Sequence, residues 1–241
     1  MVGENVTNIR GAGRPQNEAQ ENWPEQQVRL SDTDRLEAFS DGVFSITITL
    51  LVFEIVRPEH EPGRLLDKLL AQWPTYIAFL ASFFYVGVIW LNHHSMFARV
   101  RYCDRRLHWA NLLVLLTTAL IPFPTAVLST ALMHGSQVDA QVAVALYGGL
   151  GALMCCAWLY SFHLLSARPY LLEPDVPRTF FPKERWRALA GIGAYSLAGL
   201  IGWLLSPRLA LMIFLGLPIF FAVTSNGLLE TNIRWPRTIR R

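Results

Sequence analysis

The sequence predicts an all-α, polytopic membrane protein with six transmembrane helices, and three observations carry that expectation. Of its 241 residues 52% are hydrophobic and 16% charged, against about 25% charged in soluble domains. Five runs free of Asp, Glu, Lys and Arg are each long enough to cross a bilayer, which takes roughly 20 mostly apolar residues. They lie between Lys68 and Arg99, Arg106 and Asp139, Asp139 and Arg168, Arg187 and Arg208, and Arg208 and Glu230. A sixth and weaker stretch, Arg35 to Ile55, is free of charge only between Asp41 and Glu54.

The third observation is where the basic residues fall. With spans at about 34–56, 72–97, 107–128, 140–167, 186–205 and 208–229, seventeen of the 21 Lys and Arg lie on one side, in both tails and in the loops after spans two and four. The positive-inside rule then places both termini in the cytoplasm, in a cell (inner) membrane, and an even number of spans is what that orientation requires. The net charge of +3 is spread over these loops, so nothing points to nucleic acid.

The segments outside the spans read simply. Residues 1–30 are rich in Asn, Gln, Glu, Gly and Pro with no apolar core, which predicts a disordered cytoplasmic tail rather than a signal peptide. Residues 31–230 form the six-helix unit and 231–241 a basic tail. Ser31, three residues before Asp34, resembles a capping box that starts helix one. Cys103, Cys155 and Cys156 offer neither disulfide framework nor metal spacing and read as buried thiols. The short basic link "ARVRYCDRRLHWAN" makes spans two and three antiparallel neighbours. In "NLLVLLTTALIPFPT" the Pro122-Phe123-Pro124 break demands protein or water for its freed backbone groups. Gly148 with Ala152 and Ala194 with Ala198 are small-xxx-small pairs suited to close helix approach.

Helix one carries the polar letters. At 100° per residue, Ile46, Thr49, Leu50 and Phe53 make one stripe, Ser40, Thr47 and Glu54 a second, and Asp41, Ser45 and Thr49 a third. Ionisable groups inside a membrane cost about 2.5 to 3.5 kcal/mol each on insertion scales, so such a helix belongs among its neighbours or beside water, not in lipid. The end of span two, "WLNHHSMF" (Trp90 to Phe97), lies level with Asp41, and hydrogen bonding of Asn92, His93 or His94 to the Ser40-Asp41 pair is the physical expectation. No Ser-His-Asp, Walker or zinc-protease pattern occurs.

"RLEAFSDGVFSI" resembles the Arg-x-x-x-Phe-Ser-Asp signature of the transmembrane protein 175 family of potassium channels, with Arg35, Phe39, Ser40 and Asp41 in its positions. "WLNHH" and "NLLVLLTTALIPFPT", with Trp90, Asn92, His93, His94 and Asn111, are similar to that family's second and third spans. The resemblance implies a homotetramer in the bilayer with helix one of each subunit lining a central pore. Potassium is then the permeant ion, and no other metal or cofactor is needed. It also implies that Ile46 forms the narrowest apolar ring, that Leu50 and Phe53 form further apolar layers, and that Thr49 forms a hydroxyl layer. Arg35, Ser40 and Asp41 would brace helix one against the histidine-bearing span. A proton-coupled transporter or proton leak using Asp41, His93 and Glu54 as relay stays open beside it, and so does a membrane enzyme built on the histidines.

Overall fold

The computed structural model describes residues 33–134 and 136–225, which form helices and one isolated bridge, Val100 to Leu172. In order they are α1 (Asp34–Leu50), a 3-10 turn (Leu51–Glu54), α2 (Leu65–Ala71), α3 (Trp73–Phe97), α4 (Arg105–Ala119), α5 (Pro122–His134), α6 (Gln137–Ser166), a 3-10 turn (Pro169–Leu171), α7 (Phe180–Leu204) and α8 (Pro207–Val223). The expected Ser31 cap, both tails and the end of the sixth span lie outside the described residues.

α1 begins after Thr33, whose side chain makes no capping bond. Asp34 and Glu37 occupy its first turn, where acidic groups complement the helix dipole. With its 3-10 extension it runs 21 residues, about 33 Å at ordinary rises, enough for a hydrocarbon layer of about 30 Å. Asp41 and Glu54 are about 21 Å apart along that axis, so both cannot reach the two interfaces at once. A turn at Gly63, whose φ of 86° suits a residue without Cβ, leads into α2, a short exposed helix that the run of charges around it had hidden.

The third span is two helices rather than one. Pro122 and Pro124 have no N–H to give the carbonyls of Thr118 and Leu120. Those carbonyls instead accept from Ile121 and Phe123, at 3.0 and 3.2 Å. Two hydroxyls bond back into their own helices beside the break: Thr118 Oγ1 donates to Val114 O, and Thr125 Oγ1 to Ile121 O, both at 2.8 Å. Across the break Ser82 Oγ and Thr125 Oγ1 meet at 2.9 Å, and Thr75 Oγ1 and Ser129 Oγ at 2.7 Å. These bonds tie α3 to α5.

α7 starts at Phe180, six residues before the expected edge of the fifth span, because charged residues do not stop a helix that extends past the apolar layer. Five helical stretches among the described residues are long and apolar enough to cross a membrane, and α8, at 17 residues, is shorter. α8 still amounts to about 25 Å of helix.

The expected adjacency of spans two and three is met through α5, the second helix of the third span, rather than through α4. α1 packs against both α3 and α4; α3 lies along α5 and α1 and, less closely, α8, and α4 lies along α6. The link between them is not a tight hairpin because it pairs elsewhere: Arg101 N–H donates to Leu171 O at 2.8 Å, and Glu173 N–H to Arg99 O at 3.0 Å. Asp104 caps α4 by accepting from Leu107 N at 2.8 Å and takes Arg168 Nη1 on its other oxygen, also at 2.8 Å.

α6 and α7 make the most intimate helix pair. A Cβ on Gly148 would stand 2.9 Å from Tyr195 O, and one on Gly151 2.3 Å from the Tyr195 ring. Close approach therefore runs through Gly148, Gly151 and Gly199. Ala152 and Ala194, the other halves of the expected pairs, are only half-buried.

Candidate functional site

The faces of α1 separate cleanly. Leu36, Ser40, Phe44, Thr47 and Leu51 are buried in the bundle. Phe39, Ile46, Leu50 and Phe53 are exposed on the chain, Ile46 at 60% and Phe53 at 76%. Ser45 and Thr49 share that outward face, and Asp41 lies at its edge, half-buried. Ser40 and Thr47 point inward, each donating to the carbonyl four residues back at 2.8 Å. Glu54, the third member of their stripe, is half-buried at the far end of the 3-10 turn. An outward face that mixes Ser45, Thr49 and Asp41 with Ile46, Leu50 and Phe53 is costly against hydrocarbon, because polar groups there lack partners.

Thr49 Oγ1 lies 3.0 Å from Ser45 O and 2.9 Å from Ile46 O. Its proton is thus given to the helix, and its lone pairs remain on the exposed side. A hydroxyl so held offers an acceptor outward.

Behind this face runs a one-way hydrogen-bond chain across three helices. His93 Nε2 and Asn111 Oδ1 are 2.8 Å apart, Asn111 Nδ2 donates to Ser40 Oγ at 2.9 Å, and Ser40 donates on to Leu36 O. Because the amide nitrogen of Asn111 is spent on Ser40, its oxygen accepts, which puts the proton of His93 on Nε2. The His93 ring is boxed by Phe97 at 4.6 Å, Phe44 at 5.0 Å and Trp158 at 6.3 Å between centroids. An imidazole held by Asn111 inside an aromatic cage positions helices.

Asp41 finds a different partner, accepting from Trp90 Nε1 at 2.9 Å. Trp90 in turn stacks on His94 at 6.1 Å. Asn92 turns away from the Ser40-Asp41 pair: its Nδ2 donates to Val88 O at 2.8 Å and its Oδ1 lies 3.5 Å from Arg187 Nη2. Successive helical positions diverge by 100°, so of the three neighbours only His93 reaches the chain that ends on Ser40. Arg35 and Phe39 lie on the exposed surface of the single chain. Asp41, His93 and Glu54 are not brought together: Asp41 bonds Trp90, His93 bonds Asn111, and Glu54 lies about 21 Å along the helix from Asp41.

Two features escaped sequence reasoning. Arg187 is held by Glu184, by Phe221 O at 2.9 Å and by Thr224 Oγ1 at 3.2 Å, which gives one C-terminal carbonyl of α8 a donor. The i, i+3 spacing of Glu184 and Arg187 was the available signal. The Asp104–Arg168 pair had none. Cys103, in the link before α4, has its thiol pushed up to about 12 by burial, with Glu37 and Asp104 adding negative charge. Cys156 is exposed, contrary to the expectation of three buried thiols.

The model of the family described as endosomal/lysosomal potassium channel TMEM175 matches residues 35–122, the segment from α1 to the start of α5 that holds the whole hydrogen-bond chain. A potassium channel of Chamaesiphon minutus is 36% identical over 207 residues, covering 85% of this chain and 98% of that one. The chain belongs to the TMEM175 family. A potassium channel of Streptomyces collinus is 38% identical over 169 residues, 70% of this chain and 81% of that one. The crystal structure of a lysosomal potassium-selective channel TMEM175 homolog from Chamaesiphon minutus superposes with a TM-score of 0.69 at 36% identity, over 80% of this chain and 98% of that one. The human endosomal/lysosomal proton channel TMEM175 is 38% identical over 91 residues, 34% of this chain and 18% of that protein. TMEM175 proteins are a channel family and not an enzyme family, and this member is a multi-pass membrane protein whose nearly all-helical fold is that of a TMEM175 channel.

Proposed function

We propose that the chain forms a homotetrameric, potassium-preferring cation channel in the cell membrane, with both termini cytoplasmic and helix α1 of each subunit at the central axis. The carrying observation is the outward face of α1. Ile46, Leu50 and Phe53 are exposed in the single chain although they lie on a helix whose other side is fully packed, and a hydroxyl sits among them. Four copies of that face around an axis would bury the apolar residues as successive rings, with Ile46 narrowest. An apolar ring closes a path by dewetting. The names of the relatives support potassium as the permeant ion.

The network behind α1 fits the same reading. Asn111 and His93 hold the helix from the rear, and Trp90 fixes Asp41 at its edge, so the axial face is positioned without using groups that would touch the ion. A proton relay through Asp41, His93 and Glu54 is less well supported, since no hydrogen bond joins any two of them.

Reconstitution into planar bilayers tests the proposal. Resolved unitary currents with a reversal potential that follows the potassium gradient are expected, and Ile46→Asn should raise resting current by hydrating the ring. Turnover too slow for unitary steps, or an Ile46→Asn channel that conducts like the parent, would sink it.

A further inference from the structure

We propose that α2 is a membrane anchor, seated in the interface of the outer leaflet with its four leucines toward the acyl chains. At 100° per residue Leu65, Leu66, Leu69 and Leu70 fall within about 140° of one another, while Arg64, Asp67, Lys68 and Ala71 take the opposite side. No residue of the helix is buried against the chain, and Leu66 and Leu70, at 67% and 65%, are its most exposed leucines. Its seven residues amount to about 10 Å, too short to cross a bilayer.

Two spans fix the depth of this helix. α3 starts at Trp73 and runs 25 residues, about 37 Å, so its first turn lies where the hydrocarbon meets the headgroups. α1 with its 3-10 turn ends at Glu54, and two residues on, Val56 O accepts from Gln72 Nε2 at 3.0 Å. That bond sets the corner between α2 and α3 level with the outer end of α1. Pro74 has no N–H to give the carbonyl of Leu70, so the helix breaks at the corner and α2 is released from the axis of α3. Trp73, exposed at the corner, suits the aromatic belt that marks this depth.

The chemistry of the partner follows from the two faces. Four leucines side by side meet no covering group of their own chain. Opposite them, Arg64 and Asp67 pair in the open at 3.4 Å, and Lys68 stands beside them without an ion pair among the described residues. Two cations and one carboxylate leave net positive charge at the depth of the lipid phosphates. An apolar face below and a charged face above is the pattern of helices that lie in the boundary between headgroups and acyl chains. The leucine face also continues the exposed side of α3 through Trp73, Ile77, Leu80 and Phe84, the side that this spanning helix offers to lipid.

Nitroxide labels on the full-length protein, in vesicles of phosphatidylcholine and phosphatidylglycerol, test the seat. Cys156→Ser removes the exposed native thiol, and Cys103 and Cys155 are buried. Labels enter one at a time through Leu66→Cys, Asp67→Cys, Lys68→Cys and Leu70→Cys. Relaxation by oxygen, which concentrates in lipid, is compared with relaxation by a water-soluble nickel chelate. The labels replacing Leu66 and Leu70 should favour oxygen and those replacing Asp67 and Lys68 the chelate, a reversal within about one turn. Chelate access at all four positions would leave α2 in water and overturn the proposal. Low access to both agents at the leucine positions would mean that protein covers them, a second copy if dilution with unlabelled protein removes spin–spin broadening, and would overturn it too. Should Leu66→Cys fail to assemble, Leu70→Cys carries the same comparison. The outer leaflet rests on the topology proposed above, but an inverted chain would keep the pattern in the opposite leaflet, so the two readings fail separately.

Discussion

Asn111 and Ser40, 71 positions apart in sequence, are joined by a 2.9 Å hydrogen bond at a point where α1 is otherwise packed by apolar side chains. Asn111 is the hub because it is the residue that can accept from His93 and donate to Ser40 at once. Asn111→Leu should therefore strand the buried Nε2 of His93 and lower stability by about 1–3 kcal/mol. Ser40→Ala strands Asn111 Nδ2 and should cost a similar amount. The double variant should cost little more than Asn111→Leu alone, as expected for coupled groups. Thermal unfolding of the detergent-solubilised protein measures all three, and additive losses would show that the bonds act separately.

Two glycines two positions apart on α6 should respond in opposite ways. A Cβ on Gly151 would collide with the Tyr195 ring, while one on Gly149 meets nothing within 4 Å. Gly151→Ala should destabilise by about 1–3 kcal/mol through overpacking. Gly149→Ala should be neutral or stabilising by up to about 1 kcal/mol, from helix propensity. Melting temperatures of the two variants check this, and equal shifts would mean that α6 and α7 are not pressed together at Tyr195.

The Asp104–Arg168 pair is mostly buried, at 8% and 15% side-chain exposure. Removing one partner of a buried pair typically costs about 3–5 kcal/mol, so Arg168→Met should be strongly destabilising. Adding Asp104→Asn should recover part of that loss, because Asn still caps α4 and no unpaired carboxylate remains. Yield of folded oligomer on size-exclusion chromatography distinguishes the outcomes; a double variant worse than Arg168→Met alone would assign the cost to lost packing.

Selectivity tests Thr49. Its hydroxyl gives its proton to Ser45 O and Ile46 O and leaves oxygen lone pairs outward, a weak-field acceptor of the kind that favours the ion that dehydrates more cheaply. Thr49→Val should lower the potassium-to-sodium permeability ratio, and Thr49→Ser should preserve it. Reversal potentials under bi-ionic gradients decide, and an unchanged ratio in Thr49→Val would assign selectivity to the width of the Ile46 ring.

The candidate face was legible in the sequence because a 3.6-residue period places Ile46, Thr49, Leu50 and Phe53 together whatever surrounds them. The break after Ala119 was legible for a similar reason: Pro122 and Pro124 lack N–H groups in any context. The partner of Asp41 was not, because Trp90, Asn92, His93 and His94 lie within five positions of one another and only helix rotation decides which of them faces α1.

What the sequence determined by itself was therefore local or averaged: apolar runs that place helices in lipid, prolines that interrupt one of them, and the faces of α1. Tertiary structure decided the neighbours. Every span is apolar enough to lie beside any other, so hydropathy does not say that α1 sits against both α3 and α4. Nor does it say that α6 and α7 touch through Gly148 and Gly199. Those choices come from shape and from buried polar groups finding one another across the bundle, as His93, Asn111 and Ser40 do, where an unpartnered hydrogen-bonding group costs more than an apolar contact gains.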